Sequence, residues 1–214
     1  MNTIRTNKRT LLHFNMSFIG GFIGAYAILI RNGNLGAAQT MNLIELFLNF
    51  ADLNFTNAII RLGLFISYGI SFVTAYICSL YLPNYKYINA IIIESICIFI
   101  IGLLPLACNP LVALFPVFIL SAYQWQTFTD SDCYNSSTVF STNNYKQALL
   151  SWTNFIRDKN PADKKRALFF TYTLAIFHIG VFIGFFTVKY FSVKAIWITM
   201  FPIFLALFLI PNSN

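Results

Sequence analysis

Residues 20–49 read GGFIGAYAILIRNGNLGAAQTMNLIELFLN. An apolar segment rich in glycine leads into a loop of small residues, and the loop leads into a short amphipathic helix. A similar pattern recurs 102 residues later, where Thr142-Asn143-Asn144 begins a second short helix that continues KQALLSWTNF. The polar residues that match at this offset are Thr40 and Thr142, Asn42 and Asn144, Glu45 and Gln147, and Asn49 and Ser151. The chain therefore contains an internal repeat.

The matched polar residues favour a binding site. At 3.6 residues per turn one stripe of the first short helix carries Asn42, Glu45 and Asn49, with apolar residues on the other faces. A similar stripe of the second short helix carries Gln147, Ser151 and Asn154. Thr and Asn are also common helix N-caps, so the pairs have a purely structural interpretation. If both helix N-termini point inward, they favour an anionic or strongly polar group. We predict substrate-binding roles for Thr40, Asn42, Glu45, Thr142, Asn144 and Gln147.

The composition is that of an integral membrane protein. Hydrophobic residues make up 57% of the 214 residues and charged residues only 10%, whereas soluble domains have about 25% charged residues. The net charge of +7 is explained by basic loops beside a membrane, so we expect membrane lipid and no nucleic acid as a partner. The four cysteines have no metal-ligand spacing, and we expect neither a metal nor a cofactor.

Six apolar segments meet or approach the length of about 20 residues that spans a bilayer. They cover roughly 11–30, 62–82, 87–107, 109–128, 167–188 and 194–211. The third and fourth are separated only by a turn at 107–110. The predicted fold class is an all-α membrane protein with six transmembrane helices in one membrane domain (1–214). Residues 1–107 form one three-helix repeat and 108–214 the second, each with a short amphipathic or re-entrant helix.

The basic residues predict the orientation. With the N-terminus inside, ten of the fourteen Lys and Arg lie in cytoplasmic segments and four outside, which is the usual bias. Both termini are then cytoplasmic. Because each repeat has an odd number of spans, the second repeat must be inverted relative to the first.

Inverted repeats with interrupted helices are a recurrent design of secondary transporters, whose sites lie between the repeats near the midplane. Two further polar residues could reach such a site, namely Glu94 in the third span and Gln124 at the end of the fourth. A carboxyl group at that depth normally faces a partner or a wet cavity. Both are predicted substrate-binding residues, although a structural hydrogen bond is an equally ordinary role for a buried amide or acid.

Four glycines predict close helix packing. Gly20 and Gly24, like Gly180 and Gly184, are spaced four residues apart on an apolar helix. Such pairs of small residues let two helix backbones approach. Whether these faces pack within one chain or across a homodimer is left open.

The segments GFIGAYAILIRNG and GAAQTMNL resemble the first-repeat signature of the YoaK-like family of bacterial inner-membrane proteins, a domain of unknown function. Tyr123-Gln124 and Thr142-x-Asn144 resemble its second-repeat signature. The resemblance covers nearly the whole chain and implies a multi-pass protein of the bacterial inner membrane. The chain departs from the family pattern at Gly24, which is usually acidic, and at Met41 and Asn143, which are usually glycine.

Two classes of function follow. A transporter or permease-like carrier of a small polar or anionic solute would have an accessible polar cavity between the repeats. A non-transport membrane subunit that binds a partner protein or a lipid would have a dry, packed interface there. An enzyme is not expected, because no nucleophile–base pair or metal-binding motif is present.

Overall fold

The computed structural model describes residues 8–131 and 134–211, with the side chains of 130–133 outside the described part. This part of the chain is almost entirely helical. The α-helices are α1 (Lys8–Ile30), α2 (Gln39–Ala51), α3 (Phe55–Tyr81), α4 (Lys86–Leu103), α5 (Phe115–Phe128), α6 (Thr142–Asp158), α7 (Pro161–Phe191) and α8 (Met200–Leu209). Short 3₁₀ segments are Pro83–Tyr85, Val112–Leu114 and Ser192–Thr199, and a two-residue hairpin pairs β1 (Asp130–Ser131) with β2 (Tyr134–Asn135).

The order of elements repeats. A first helix (α1 or α5) is followed by a loop, a short amphipathic helix (α2 or α6), a long helix (α3 or α7) and a last helix (α4 or α8). The short helices keep the offset of 102 residues at their asparagines, but α3 and α7 begin 106 residues apart, at Phe55 and Pro161. The change arises because α6 has 17 residues and α2 only 13. Four extra residues add about one helical turn.

The turn after each short helix is built in the same way. Leu53 and Lys159 have left-handed backbones, with φ of 57° and 54°, which is a common way to end a helix. The next residue, Asn54 or Asn160, caps the following helix by accepting a hydrogen bond from a backbone N–H of its first turn. Capping by asparagine satisfies an amide that the helix leaves without a partner. Two separate stretches of sequence thus encode one helical hairpin.

The long helices pack across the two halves. The helix α1 lies against α7, and α5 lies against α3. The outer pairs follow the same scheme, since α4 packs on α5 and α8 packs on α1. Each short helix packs on the long helix that follows it. The main apolar core lies among α1, α3, α4, α5 and α8.

The outer surface is apolar. Many large side chains such as Ile70, Phe182 and Phe201 are more than 60% exposed, and water would not tolerate so much continuous apolar area. Four helical stretches are long and apolar enough to cross a membrane, namely Lys8–Ile30, Phe55–Tyr81, Pro83–Leu103 and Pro161–Leu209. The chain is therefore an all-α, membrane-type protein, as its composition predicted.

Several predicted segment bounds are corrected. The third segment ends at Leu103 and not at 107, because Pro105 lacks an N–H and disfavours helix in the residue before it. The fourth segment becomes regular helix only at Phe115. The polar run before residue 167 was predicted as loop, but it forms the first turns of α7, which Asn160 and Pro161 start.

Two of the six predicted segments do not stand out as separate spans. The helix α5 has 14 residues, and α8 continues from α7 through a 3₁₀ segment, so that Pro161–Leu209 is one apolar stretch. Arg5 and Cys133, which the sequence placed in polar segments, lie outside the described residues.

Candidate functional site between the two loops

Asn42, in the first turn of α2, binds the loop that precedes this helix. We name this loop L1 (residues 31–38). The amide Nδ2 of Asn42 donates to the backbone oxygens seven and four residues earlier, those of Leu35 and Ala38, each at 3.0 Å. Asn42 is 5% exposed. Because buried carbonyl groups need partners, these two bonds fix the end of L1 against the first turn of the helix.

Asn144, in the first turn of α6, binds the loop before that helix in the same way. The loop before it, L2 (residues 134–141), receives the Nδ2 of Asn144 at the backbone oxygens of Ser137 and Phe140, at 2.6 and 3.2 Å. These residues again lie seven and four positions earlier. Asn144 is 2% exposed. The equivalence predicted from the offset of 102 residues therefore extends to individual hydrogen bonds.

These bonds run opposite to those of an N-cap. Both asparagines donate to loop carbonyls, whereas a capping side chain accepts from backbone N–H groups. The residues at the cap positions, Ala38 and Ser141, make no side-chain cap hydrogen bond. Thr40 and Thr142 are exposed. The matched asparagines thus act on the loops rather than on the helix ends.

In the first half, a buried arginine joins L1 to α2. Arg61 of α3 is 8% exposed. It donates to Oδ1 of Asn34 at 3.1 Å, to Oδ1 of Asn42 at 3.4 Å and to Oε2 of Glu45 at 3.4 Å. The Glu45 side chain is 39% exposed, so solvent screens this ion pair in part. We call these four residues the Arg61 cluster.

Beside L2, a histidine of α1 and a serine of the loop itself take that place. Ser136 aligns with Asn34 at the offset of 102 residues, and its hydroxyl donates to Oδ1 of Asn144 at 3.0 Å. The ring of His13 on α1 connects to the Ser136 Oγ through Nε2 at 2.9 Å and to the backbone oxygen of Phe128 through Nδ1 at 2.9 Å. His13 is 2% exposed. We call His13, Ser136 and Asn144 the His13 cluster.

An open polar pocket lies beside α6. Arg166 of α7 donates to Oε1 of Gln147 at 2.7 Å. The pocket has a volume of about 510 Å³ and is lined by Tyr134, Asn135, Asn143, Gln147 and Arg166. No described residue of the first half lines it. The stripe that carries Gln147 therefore faces this pocket, and the stripe that carries Glu45 belongs to the Arg61 cluster.

The two loops reach into the helical core. A Cβ atom built on Gly20 would lie 2.1 Å from the backbone oxygen of Thr138 in L2. A Cβ on Gly36 of L1 would lie 2.6 Å from the Cγ1 of Val117 on α5. Both positions therefore require glycine, since any side chain would push the loop away. Gly20 lies near the middle of α1, so L2 reaches the interior of the helical core.

L1 and L2 meet at a small space between α1 and α5, which we call the central cavity. It has a volume of about 10 Å³, close to the minimum for one water molecule. Its lining residues are Gly20, Ile23, Gly24, Leu35, Gly36, Ala37, Val117, Leu120, Ser121, Gln124 and Val139. Gln124 is the only predicted substrate-binding residue among them, and the lining contains no charged side chain.

Gln124 ties the cavity to L2. Its Nε2 donates to the backbone oxygen of Met16 at 2.8 Å and to Oγ1 of Thr138 at 3.1 Å. These two bonds fix the orientation of the amide. The opposite atom, Oε1, is buried and has no hydrogen-bond partner in the described part of the chain. An unpaired buried acceptor is costly, and it marks where a donor could bind.

Glu94 is not brought to either loop. It lies at the middle of α4 and is fully buried, and neither carboxyl oxygen has a hydrogen-bond partner among the described residues. It does not line the central cavity. Burying a carboxyl group without a hydrogen-bond partner costs free energy.

Of the four glycines predicted to pack one helix against another, two do so and two face the loops. A Cβ on Gly180 would lie 2.1 Å from the backbone oxygen of Phe18, and one on Gly184 would lie 3.1 Å from the Cβ of Ala25, so both pack α7 onto α1. Gly20 faces L2, and Gly24 meets only a side chain of L1 at 3.5 Å. The close partner on α1 is Gly21, where a Cβ would lie 2.0 Å from a backbone oxygen of α7.

Sequence reasoning missed Arg61, His13 and Ser136 as members of a site. Arg61 counted only as one of four outer basic residues, although a charged residue at the start of an apolar helix is itself a signal. His13 had no signal in the chain around it, because its partner Ser136 is 123 residues away. Its role depends on tertiary structure alone.

These features define the class of the protein. It is an all-helical membrane protein in which two loops, each followed by a short helix, reach into the helical core. Among the described residues, no group of three or more His, Cys, Asp or Glu is placed to hold a metal ion.

The family model described as "Protein of unknown function (DUF1275)" matches residues 12–209, nearly the whole chain. The chain belongs to this family, and the YoaK-like resemblance is confirmed, since the YoaK-like family is a DUF1275 family. No curated protein and no solved structure matches the chain significantly.

Proposed function

We propose that this protein is a six-span carrier of the bacterial inner membrane that moves a small polar solute through the central cavity between its two halves. The observation that carries the proposal is the meeting of L1 and L2 at this cavity. Irregular backbone at membrane depth is tolerated where protein buries it or where it lines a cavity. Transporter sites form where such interrupted segments meet.

We further propose that the protein is a 3+3 inverted repeat. The equivalent elements, the two asparagine–loop brackets and the crossed packing of α1 on α7 and α5 on α3 all pair one half with the other. The helix α5 reaches a bilayer-spanning length only with the 3₁₀ segment before it, which adds three residues to its fourteen and brings it to the lower limit of about 17. With both termini cytoplasmic, L1 then enters from outside and L2 from inside.

The lining of the central cavity favours a neutral solute that donates a hydrogen bond. Gln124 Oε1 is an acceptor without a partner, and it would bind an N–H or O–H group. The sequence left a polar or an anionic solute open. With no basic side chain among the lining residues, the polar solute is the better supported of the two.

The alternative, a non-transport subunit, is favoured by the size of the cavity. A volume of about 10 Å³ holds no solute larger than water, so the described state would be a closed one in a carrier. In a subunit it would be the permanent state. The two proposals therefore differ in whether the cavity opens.

An osmotic experiment separates them. Proteoliposomes containing the purified protein are mixed with hyperosmotic urea, formamide or glycerol, and reswelling is followed by light scattering. We expect faster reswelling than in protein-free liposomes for at least one solute, lost in Gln124→Leu and kept in Gln126→Leu. Gln126 lies two residues further along α5 and does not line the cavity. Reswelling rates equal to those of protein-free liposomes for all three solutes would contradict the carrier proposal.

A labelling experiment tests the inverted orientation. Asn34 and Ser136, the obvious loop positions, are 8% and 0% exposed, so labels belong at the exposed Asn32 and Lys159. In intact cells a membrane-impermeant thiol reagent should label Asn32→Cys. It should reach Lys159→Cys only after permeabilisation. Labelling of both from the same side would contradict the inverted repeat.

A further inference from the structure

A chain of polar groups runs through the His13 cluster, and its hydrogens can be counted. From one end to the other it joins the backbone oxygen of Phe128, the two ring nitrogens of His13, the Ser136 Oγ and the Asn144 Oδ1. The three links measure 2.9, 2.9 and 3.0 Å. Each link needs one hydrogen, so the chain needs three.

The orientation of Asn144 is fixed independently. Its Nδ2 donates to the backbone oxygens of Ser137 and Phe140, which can only accept. Its Oδ1 therefore faces Ser136, and because an amide oxygen cannot donate, the hydroxyl of Ser136 must donate to it. The lone pairs of the Ser136 Oγ then face His13, and Nε2 must carry a hydrogen.

The other ring nitrogen also faces an acceptor. The Phe128 backbone oxygen cannot donate, so Nδ1 of His13 must donate to it. A neutral histidine has one N–H and the serine one O–H, which leaves one of the three links without a hydrogen. A doubly protonated imidazolium supplies the third. The ring of Phe169 lies 5.3 Å from the His13 ring, and the face of an aromatic ring attracts a cation at this distance.

We infer that His13 is a buried proton-binding site, in which one bound proton holds L2 to α1 and to the end of α5. Both ring N–H groups are then satisfied, and the cationic ring is screened from solvent. Loss of the proton removes one link and loosens L2 at the end opposite to the central cavity. This site does not depend on transport, because it follows from the hydrogen bonds of L2 alone.

The elements around His13 carry other charged and titratable groups. Among them are Lys8 and Arg9 on α1, Tyr134 on β2, Lys146 on α6, and Asp163, Lys164, Lys165 and Arg166 on α7. Arg166 is engaged with Gln147 and the ring of Phe170. The side chains of residues 130–133 lie outside the described part. Both donor assignments at His13 follow from described groups.

The chain offers a direct test because it has only two histidines. The second, His178, is exposed on α7 and donates to the backbone oxygen of Leu174. In full-length His178→Gln protein labelled with ¹⁵N-histidine, nitrogen NMR at pH 7 reads the two ring nitrogens of His13 alone. We expect both to carry a hydrogen. A single neutral tautomer would overturn the inference.

A pair of serine variants sharpens the result. Ser136→Ala removes the acceptor for Nε2, and we expect the loss of that N–H and a neutral ring that still donates to Phe128 through Nδ1. Ser137→Ala is the matched control, because its hydroxyl accepts only from the Val139 backbone N–H, and His13 should keep both hydrogens. An unchanged imidazolium in Ser136→Ala would contradict the role of Ser136. If Ser136→Ala does not fold, the His178→Gln spectrum still decides.

Discussion

Equivalent asparagines bind L1 and L2, but the ionisable groups beside the two loops differ. Asn42 and Asn144 each bind backbone oxygens seven and four residues back. Around Asn42 the other groups are Arg61 and a partly exposed Glu45, whereas around Asn144 they are Ser136 and a buried histidine. The bond from asparagine to loop is therefore the shared structural unit, and the ionisable groups beside it differ between L1 and L2.

The two helix contacts that join the halves, α1–α7 and α3–α5, also differ from each other. The α1–α7 contact is made through glycines, with backbone against backbone. The α3–α5 contact is made through aromatic side chains, with ring centroids of Tyr68 and Phe118 6.3 Å apart and those of Phe72 and Trp125 5.3 Å apart. Side chains can repack and backbones in contact cannot. We therefore expect motion between the halves to occur at α3–α5 about a fixed α1–α7 contact.

The largest effect should come from a side chain at Gly180. Gly180→Leu places atoms where the Phe18 backbone oxygen lies, at 2.1 Å from the Cβ position, and we expect no folded protein. Thr74→Leu is the matched control, because Thr74 occupies the equivalent position on α3, 106 residues earlier, and is exposed. Size-exclusion chromatography of detergent-solubilised protein measures both. A monodisperse Gly180→Leu protein of normal yield would contradict the fixed contact.

How much of this the sequence predicted depends on the range of the interaction. The membrane class follows from composition, and the offset of 102 residues between the asparagines follows from spacing. The change of offset to 106 was missed, because one extra turn in the exposed part of α6 alters no apolar pattern. The ends of the third and fourth segments were misplaced where proline, rather than hydrophobicity, sets the boundary.

The candidate site was predicted only in part. Asn42, Asn144 and Gln124 lie at the loops, as expected. Their bonding had no local signal, because a stripe of polar residues reads alike for a ligand site and for loop anchoring. The opposed stripes that the repeat suggested are not brought together, since Glu45 bonds Arg61 and Gln147 bonds Arg166.

The next largest effect should come from the asparagines. Asn144→Leu removes the amide that binds two loop oxygens and also the acceptor of Ser136. Asn42→Leu should cost less, because both loop oxygens that Asn42 binds also accept hydrogen bonds from backbone N–H groups. A buried group that loses its partner costs about 1–3 kcal/mol, so we expect a loss in unfolding free energy of roughly 2–5 kcal/mol for Asn144→Leu and about 1–3 kcal/mol for Asn42→Leu. Urea unfolding in mixed micelles measures it. Stability within error of wild type would show that the asparagines bind a ligand rather than the loops.

The charged cluster of the first half should give an intermediate effect. Arg61→Met leaves Oδ1 of both Asn34 and Asn42 unpaired, and we expect a loss of about 2–3 kcal/mol. Glu45→Gln keeps an acceptor at a partly exposed position, so its cost should be at most about 1 kcal/mol. The same unfolding assay checks both. Equal losses would show that Arg61 stabilises the fold through its ion pair with Glu45 and not through its hydrogen bonds to the two asparagines.

The smallest effect should come from Gln147. Its bond to Arg166 is exposed, so Gln147→Ala should change the unfolding free energy by no more than about 0.5 kcal/mol. Glu45→Ala, at the matching position of the first half, should cost more because it also leaves Arg61 without its only described carboxylate partner. Thermal unfolding of the two variants side by side tests the difference, and a reversed order would break the comparison.

The central claim is that the cavity between L1 and L2 opens. Ser121 lines it and is 3% exposed. In a background without native cysteines, Ser121→Cys is treated with a membrane-impermeant methanethiosulfonate in right-side-out and in inside-out vesicles, with the lipid-facing Ile100→Cys as control. We predict labelling of Ser121→Cys in both preparations and none at Ile100→Cys. Absence of labelling from either side over hours would contradict the carrier proposal and favour a closed, structural core.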